Sequence, residues 1–155
     1  MLQRIQTIYL LLTVILISLM FFLPIAGLQN VAEGIIYELN YKGLFELGTS
    51  GNTFVANVWM LTALMAMIPL IALITIFLFK KRFLQIRLII FNIVLMAGYY
   101  GMLFIYLWQY GKSLSAKLFV EIPSAFPLVC IILNILAIRA IAKDEALIRS
   151  LNRLR

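Results

Sequence analysis

The chain has 155 residues, of which 65% are hydrophobic and 12% charged, with a formal net charge of +7 and a mean hydropathy of +1.07. Roughly a quarter of an ordinary soluble domain is charged, so these figures exclude a soluble globular domain, a disordered chain and a nucleic-acid-binding domain. There is no histidine and Cys130 is the single cysteine, which removes His-held haem, His- or Cys-pair metal sites, Fe–S clusters and intrachain disulfides; no cofactor is expected. The six acidic residues, Glu33, Glu38, Glu46, Glu121, Asp144 and Glu145, all avoid the middle of the apolar runs. That argues against a proton relay, a cation pathway or an intramembrane protease.

In chain order, the first apolar run is residues 5–28. It is long enough to cross a bilayer, which takes about 20 residues. Arg4 would suit a signal peptide, but the run is too long and no small-x-small cleavage site follows Pro24, so it is read as a retained span. Residues 29–53 then form a long outer loop. Ile35–Tyr41 and Leu44–Leu47 are rich in strand formers around a Lys42-Gly43 turn signal, which predicts a β-hairpin. Tyr37, Tyr41, Leu44 and Phe45 are its apolar residues, expected either to pack on the helix tops or to meet an outside partner.

The second span is residues 54–79, with Pro69 predicting a kink. The Lys80–Arg82 turn makes it a helical hairpin with the third span, 83–108. Asn92 lies nine residues past Phe83, roughly 13 Å inward. Ala97 and Gly101 form a small-xxx-small pair, and Tyr99, Tyr100, Tyr106, Trp108 and Tyr110 read as an interfacial belt with Trp59. After a shorter outer loop, in which Leu118–Ile122 is a candidate third strand, the fourth span is 122–142. Its Asn134 lies eight residues before Ala142, roughly 12 Å inward. Thr13 of the first span reaches a similar depth. Two readings stay open for Asn92, Asn134 and Thr13: a structural amide bridge fixing helix register, or a polar ligand site between helices. Arg87 and Arg139 are placed to snorkel.

The tail, residues 143–155, carries Leu147, Leu151 and Leu154 at helical spacing, with Arg149, Arg153 and Arg155 off that stripe. An amphipathic helix follows, lying on anionic lipid or docking on a partner. Ten of the thirteen Lys and Arg residues fall on the side of the tail and three, Lys42, Lys112 and Lys117, on the other. Both termini are therefore expected in the cytoplasm.

The expected fold is thus an all-α membrane protein: a four-transmembrane-helix bundle with a small β-hairpin in the first extracytoplasmic loop and a C-terminal amphipathic helix. The claudin-like tetraspan proteins are similar in architecture, but their cysteine pair and tryptophan signature are missing here. Met1–Leu10 and the ending Lys143-Asp144-Glu145, Leu147–Ser150 and Arg153–Arg155 resemble both ends of an uncharacterised family, the small four-span membrane proteins of Bacteroidetes-type bacteria, a domain of unknown function. That family usually has Asp where this chain has Asn152. The resemblance implies a bacterial inner-membrane location and no catalytic residues. An inner-face network, with Asp144 or Glu145 pairing Arg4, is expected to join the two ends.

Two functional readings follow. One is a non-enzymatic subunit or assembly factor of a larger inner-membrane complex, with a protein partner in that membrane. The other is a stand-alone lipid or small-molecule binding or transport protein. Ser113, Ser115 and Ser124 have no activating base beside them in sequence, which argues against an enzyme.

Overall fold

The computed structural model describes residues 3–30, 33–48, 51–78 and 81–153, with side chains described for 5–30, 33–48, 51–78 and 81–146. Four helices carry most of the described chain: α1 (Gln3–Leu19), α2 (Trp59–Phe77), α3 (Arg82–Ser113) and α4 (Phe126–Arg153), the last preceded by a 3-10 turn, Ile122–Ala125. Each packs against two others, α1 and α3 both lying between α2 and α4.

The helices meet along one repeating seam. The buried positions are Gln6, Leu10, Thr13, Ile17 and Met20 around α1, and Leu61, Met65, Ile68, Ala72 and Thr75 on α2. On α3 they run Gln85, Ile89, Asn92, Met96, Tyr99, Leu103, Leu107, and on α4 Pro127, Cys130, Asn134, Ala137, Ile141, Asp144. Steps of four and three alternate in each row, apart from two successive steps of four at the C-terminal end of α3. That is a 3.5-residue repeat, the pattern of helices packed nearly antiparallel at about 20° with side chains interdigitated. The residues off the seam are apolar too: Leu70, Phe77, Val94, Phe104, Leu128 and Ile132 are all exposed. Apolar side chains on both faces suit helices packed on one side and bathed in hydrocarbon on the other.

Three helical stretches are long and apolar enough to cross a membrane, Trp59–Phe77, Arg82–Ser113 and Ile122–Ala146; α1 is apolar but has 17 residues, about 26 Å of rise. The expected span 5–28 overruns this helix. Its C-terminus turns at Met20–Phe22, whose N–H groups bond carbonyls three residues back, and Pro24 cannot continue it.

The all-α expectation is corrected by a five-stranded antiparallel sheet of order β4-β3-β2-β1-β5, which makes the fold mixed α and β. Its strands are β1 (Ala26–Asn30), β2 (Ile35–Asn40), β3 (Gly43–Gly48), β4 (Gly51–Ala56) and β5 (Lys117–Val120). The expected hairpin is its β2–β3 pair, with Leu39 opposite Leu44, and the candidate third strand is β5. The other two strands straddle the expected boundaries: β1 runs from the end of expected span one into the loop, and β4 from the end of the expected loop into the start of span two. A short apolar run reads the same whether it becomes strand or helix.

Pleating sends alternate side chains to opposite faces. Ala26, Leu28, Tyr37, Leu39 and Leu44 point one way and join the core under the sheet together with Ile17, Met20, Leu61, Met96 and Tyr99. The sheet is thereby capped onto one end of the helices. Thr62 of α2 donates its hydroxyl to the Tyr41 carbonyl, pinning the β2–β3 turn to the same end. Gly43 sits where β4 crosses closely: a Cβ there would meet the Ala56 carbonyl at 2.5 Å and the Phe54 ring at 2.7 Å. Only glycine allows that approach.

Candidate functional site

The seam is not uniformly apolar. Two apolar clusters, one beneath the sheet and one of Leu10, Ile89, Ala137 and Ile141, are separated by a layer built from Thr13, Asn92 and Asn134. Each holds the seam position between two apolar neighbours on its own helix, and each is at most 1% exposed. The depth read from the sequence therefore brings these three residues to one level.

Their bonding differs from the expected amide bridge. The Asn134 Nδ2 donates to the Met96 Sδ at 3.7 Å, a weak acceptor. Among the described residues, both polar atoms of the Asn92 amide, the Asn134 Oδ1 and the Tyr99 hydroxyl are buried without a hydrogen-bond partner. Thr13 returns its hydroxyl to the Tyr9 carbonyl of its own helix at 3.0 Å. Its backbone carbonyl lies 3.9 Å from the Cys130 Sγ, tying α1 to α4 one turn from Asn134. Met96 is the centre of the group, with Asn92 four residues before it, Tyr99 three after, and Asn134 across the seam. Tyr99 and Met96 were not singled out together by the sequence reading; the seam repeat is the signal that finds them.

A second polar layer closes the seam at the end opposite the sheet. Gln6, Thr75, Gln85 and Asp144 are all buried there. The Gln6 Nε2 donates to the Asp144 Oδ2 at 2.6 Å, so the N- and C-terminal helices are joined by Gln6. The expected partner, Arg4, lies outside the residues whose side chains are described, as do the tail residues Leu147, Arg149, Leu151, Arg153 and Arg155. The backbone of α4 runs unbroken through them to Arg153. Asp144 thus belongs to the helix core rather than to a separate tail.

Above this core the sheet offers an outer face. Pairing registers place Phe119, Gly27, Glu38, Phe45 and Phe54 in one row across it, and Lys117, Gln29, Ile36, Leu47 and Asn52 in the next. Ile36, Leu47, Phe54 and Phe119 are each at least 40% exposed on that face, and Phe45 stacks edge-on against Phe54 at 5.7 Å. Of the four loop residues named from sequence, Tyr37 and Leu44 are buried on the inner face. Tyr41 packs edge-on against Phe21 at 5.5 Å, and a groove of about 270 Å³ runs between Phe21, Pro24, Tyr41 and Phe45. Burial, with Glu46 and Glu33 nearby, raises the Tyr37 hydroxyl above the usual phenol range. Among the described residues, the two outermost strands, β4 and β5, each present an unpaired edge.

The small-residue stripe of α3 also faces outward. Ala97, Gly98 and Gly101 are exposed, and a Cβ built on either glycine would meet nothing within 4 Å. Among the described residues, no other helix fills the notch.

No curated protein matches the chain. It matches the family described as a domain of unknown function (DUF4293) over residues 2–154, nearly its whole length, and it belongs to that family.

Proposed function

We propose that this family member is a non-enzymatic subunit or assembly factor of a larger complex in the bacterial inner membrane, crossing the bilayer four times with both termini in the cytoplasm. The observation that carries the reading is the outer face of the sheet. Side chains that point away from the helices point toward water, and on a protein that works alone they are expected to be polar. Here Ile36, Leu47 and Phe54 lie exposed on the neighbouring strands β2, β3 and β4, with Phe119 apart on the edge strand β5, across Gly27 and Glu38. A contiguous apolar patch rimmed by polar residues is the usual mark of a protein interface.

Two features support the same reading. The edges of β4 and β5 can each accept another strand. Within the bilayer, the Ala97–Gly101 stripe suits the close approach of a foreign helix, because small residues let backbones pack tightly. The orientation rests on the Lys and Arg count together with the sheet: Lys42 and Lys117 lie on it and Lys112 at the adjoining end of α3, and the sheet end carries the fewer positive charges. At 17 residues, α1 is a short span; the turn at Met20–Phe22 and the strand beyond it complete the path to the outer surface.

The test is purification of the tagged chain from its native membranes in mild detergent, beside an Ile36→Ser/Phe54→Ser variant. A stoichiometric partner retained by the wild type and lost by the variant, at equal expression and folding, is expected. A partner retained equally by both, or recovery of the wild-type chain alone, would remove the outer face from the account.

A further inference from the structure

We infer that Asn92, Tyr99 and Asn134 form a ligand site inside the helix seam, plugged by Met96, which takes a neutral lipid-soluble molecule with carbonyl or hydroxyl oxygens in its headgroup. The inference is independent of the subunit reading, since a complex subunit and a lone protein can both hold such a ligand.

An amide nitrogen offers two donors, an amide oxygen accepts, and a phenol does both. Asn92 uses none of its capacity, Asn134 leaves its oxygen idle, and the Tyr99 hydroxyl is unpartnered. All three residues are at least 99% buried. Buried polar groups are nearly always bonded, and each one left unbonded costs about 1–3 kcal/mol. Asn92 and Tyr99 share the buried face of α3 about two turns apart, and Asn134 of α4 reaches Met96 between them, an arrangement that gains from a partner.

The chemistry of that partner is restricted. No Asp, Glu, Lys or Arg occupies the seam between Leu10 and Met20 on α1, Leu61 and Ala72 on α2, Ile89 and Leu103 on α3, or Cys130 and Ile141 on α4. A charged ligand would go unpaired in an apolar setting, at high cost. A neutral headgroup with oxygen acceptors would take the Asn92 amide N–H and the Tyr99 hydroxyl as donors. A hydroxyl on the same headgroup would donate to the Asn134 Oδ1.

Space and access come from Met96 and the α3–α4 seam. The unpaired atoms touch no water-sized void in this conformation, so the ligand needs room that a side chain must yield. Met96 stands among the three groups, and methionine is the most adaptable of the core side chains, unbranched with three rotatable bonds. Its rotation opens the space it fills. The α3–α4 seam is the most sparsely packed of the four helix pairs. It is clasped toward the sheet end by Tyr100, whose hydroxyl donates to the Ser124 carbonyl at 2.8 Å and accepts from the Leu128 N–H at 2.9 Å. A ligand arriving from the bilayer would enter between α3 and α4 on the far side of that clasp from the sheet.

The test uses the full chain in lipid nanodiscs, probed in separate arms with a diazirine-bearing diacylglycerol and a diazirine-bearing short-chain quinone. Saturable photolabelling mapped to peptides containing Asn92–Tyr99 and Cys130–Asn134 is expected for at least one probe, and which arm labels distinguishes an acylglycerol from a quinone. Tyr99→Phe removes one hydroxyl and is expected to cut labelling at least threefold, and Asn92→Leu/Asn134→Leu at least tenfold. Should the double variant fail to fold, Tyr99→Phe decides. Labelling by neither probe, or labelling unchanged by Tyr99→Phe and by a folded double variant, would overturn the site.

Discussion

At the scale of single residues, the seam holds one polar side-chain pair that bonds across helices and one polar layer in which, among the described residues, the Asn92 amide and the Asn134 Oδ1 have no partner. The Gln6–Asp144 bond is the bonded case, short and buried, and it joins residues 138 apart in sequence. Gln6→Leu leaves the Asp144 carboxyl without that donor, and the expected loss is about 1–3 kcal/mol. Asp144→Leu should cost a similar amount, and the double variant less than the sum, because the same bond is lost once. Unfolding of the detergent-solubilised protein measures all three; additive losses would show that the two side chains are not coupled. Helix-rise arithmetic on the sequence was enough to set Thr13, Asn92 and Asn134 at one depth. It was not enough to pair Gln6 with Asp144, since the run of charges after Ala142 reads as the end of the membrane segment while the core seam continues through it. Which amide bonds which group depends on side-chain direction about the helix, and a single chain that is apolar all round gives no phase for that direction.

At the scale of elements, the helices were legible because their runs are long, and their ends were not. Pro24 stops α1, yet the residues after it are as apolar as those before, so β1 was absorbed into a span. The same happened to Phe54–Ala56 of β4. β2 and β3 were visible because Glu38, Asn40 and Glu46 interrupt their apolar residues and a glycine marks the turn. The strand at Lys117–Val120 was visible only as a candidate, since four residues fix no register until a neighbour is known; here that neighbour is β1. The connection from this strand into α4 is held by Tyr100, which spans α3 and the first turn of α4 through one hydroxyl. Tyr100→Phe removes both bonds while keeping the ring. Amide hydrogen exchange over residues 122–130 should then rise several-fold, with exchange in the β2–β3 pair unchanged. Equal exchange in wild type and variant would mean that apolar packing alone holds the 3-10 turn.

At the scale of the whole molecule, the chain is a helical unit with two different ends. One end carries a five-stranded sheet, the other a polar layer of Gln6, Thr75, Gln85 and Asp144 and most of the positive charge. The membrane character follows from composition alone, because nothing but hydrocarbon suits so much apolar helix surface. The packing seam is hidden by the same composition: lipid-facing and core-facing positions are equally apolar, so the 3.5-residue repeat emerges only when burial is known. The outer face of the sheet is the surface this account depends on, and its residues could not be assigned to a face before the pairing register was known.

The most direct measurement places a photo-crosslinking amino acid at Phe54 and, separately, at Phe104, which points away from the seam within the span of α3. Crosslinking is done in living cells before any detergent is added. The account predicts one discrete adduct with a different protein from Phe54, abolished by Ile36→Ser in the same chain. An adduct only with a second copy of this chain, or no protein adduct from Phe54 when the control at Phe104 labels lipid, would contradict it.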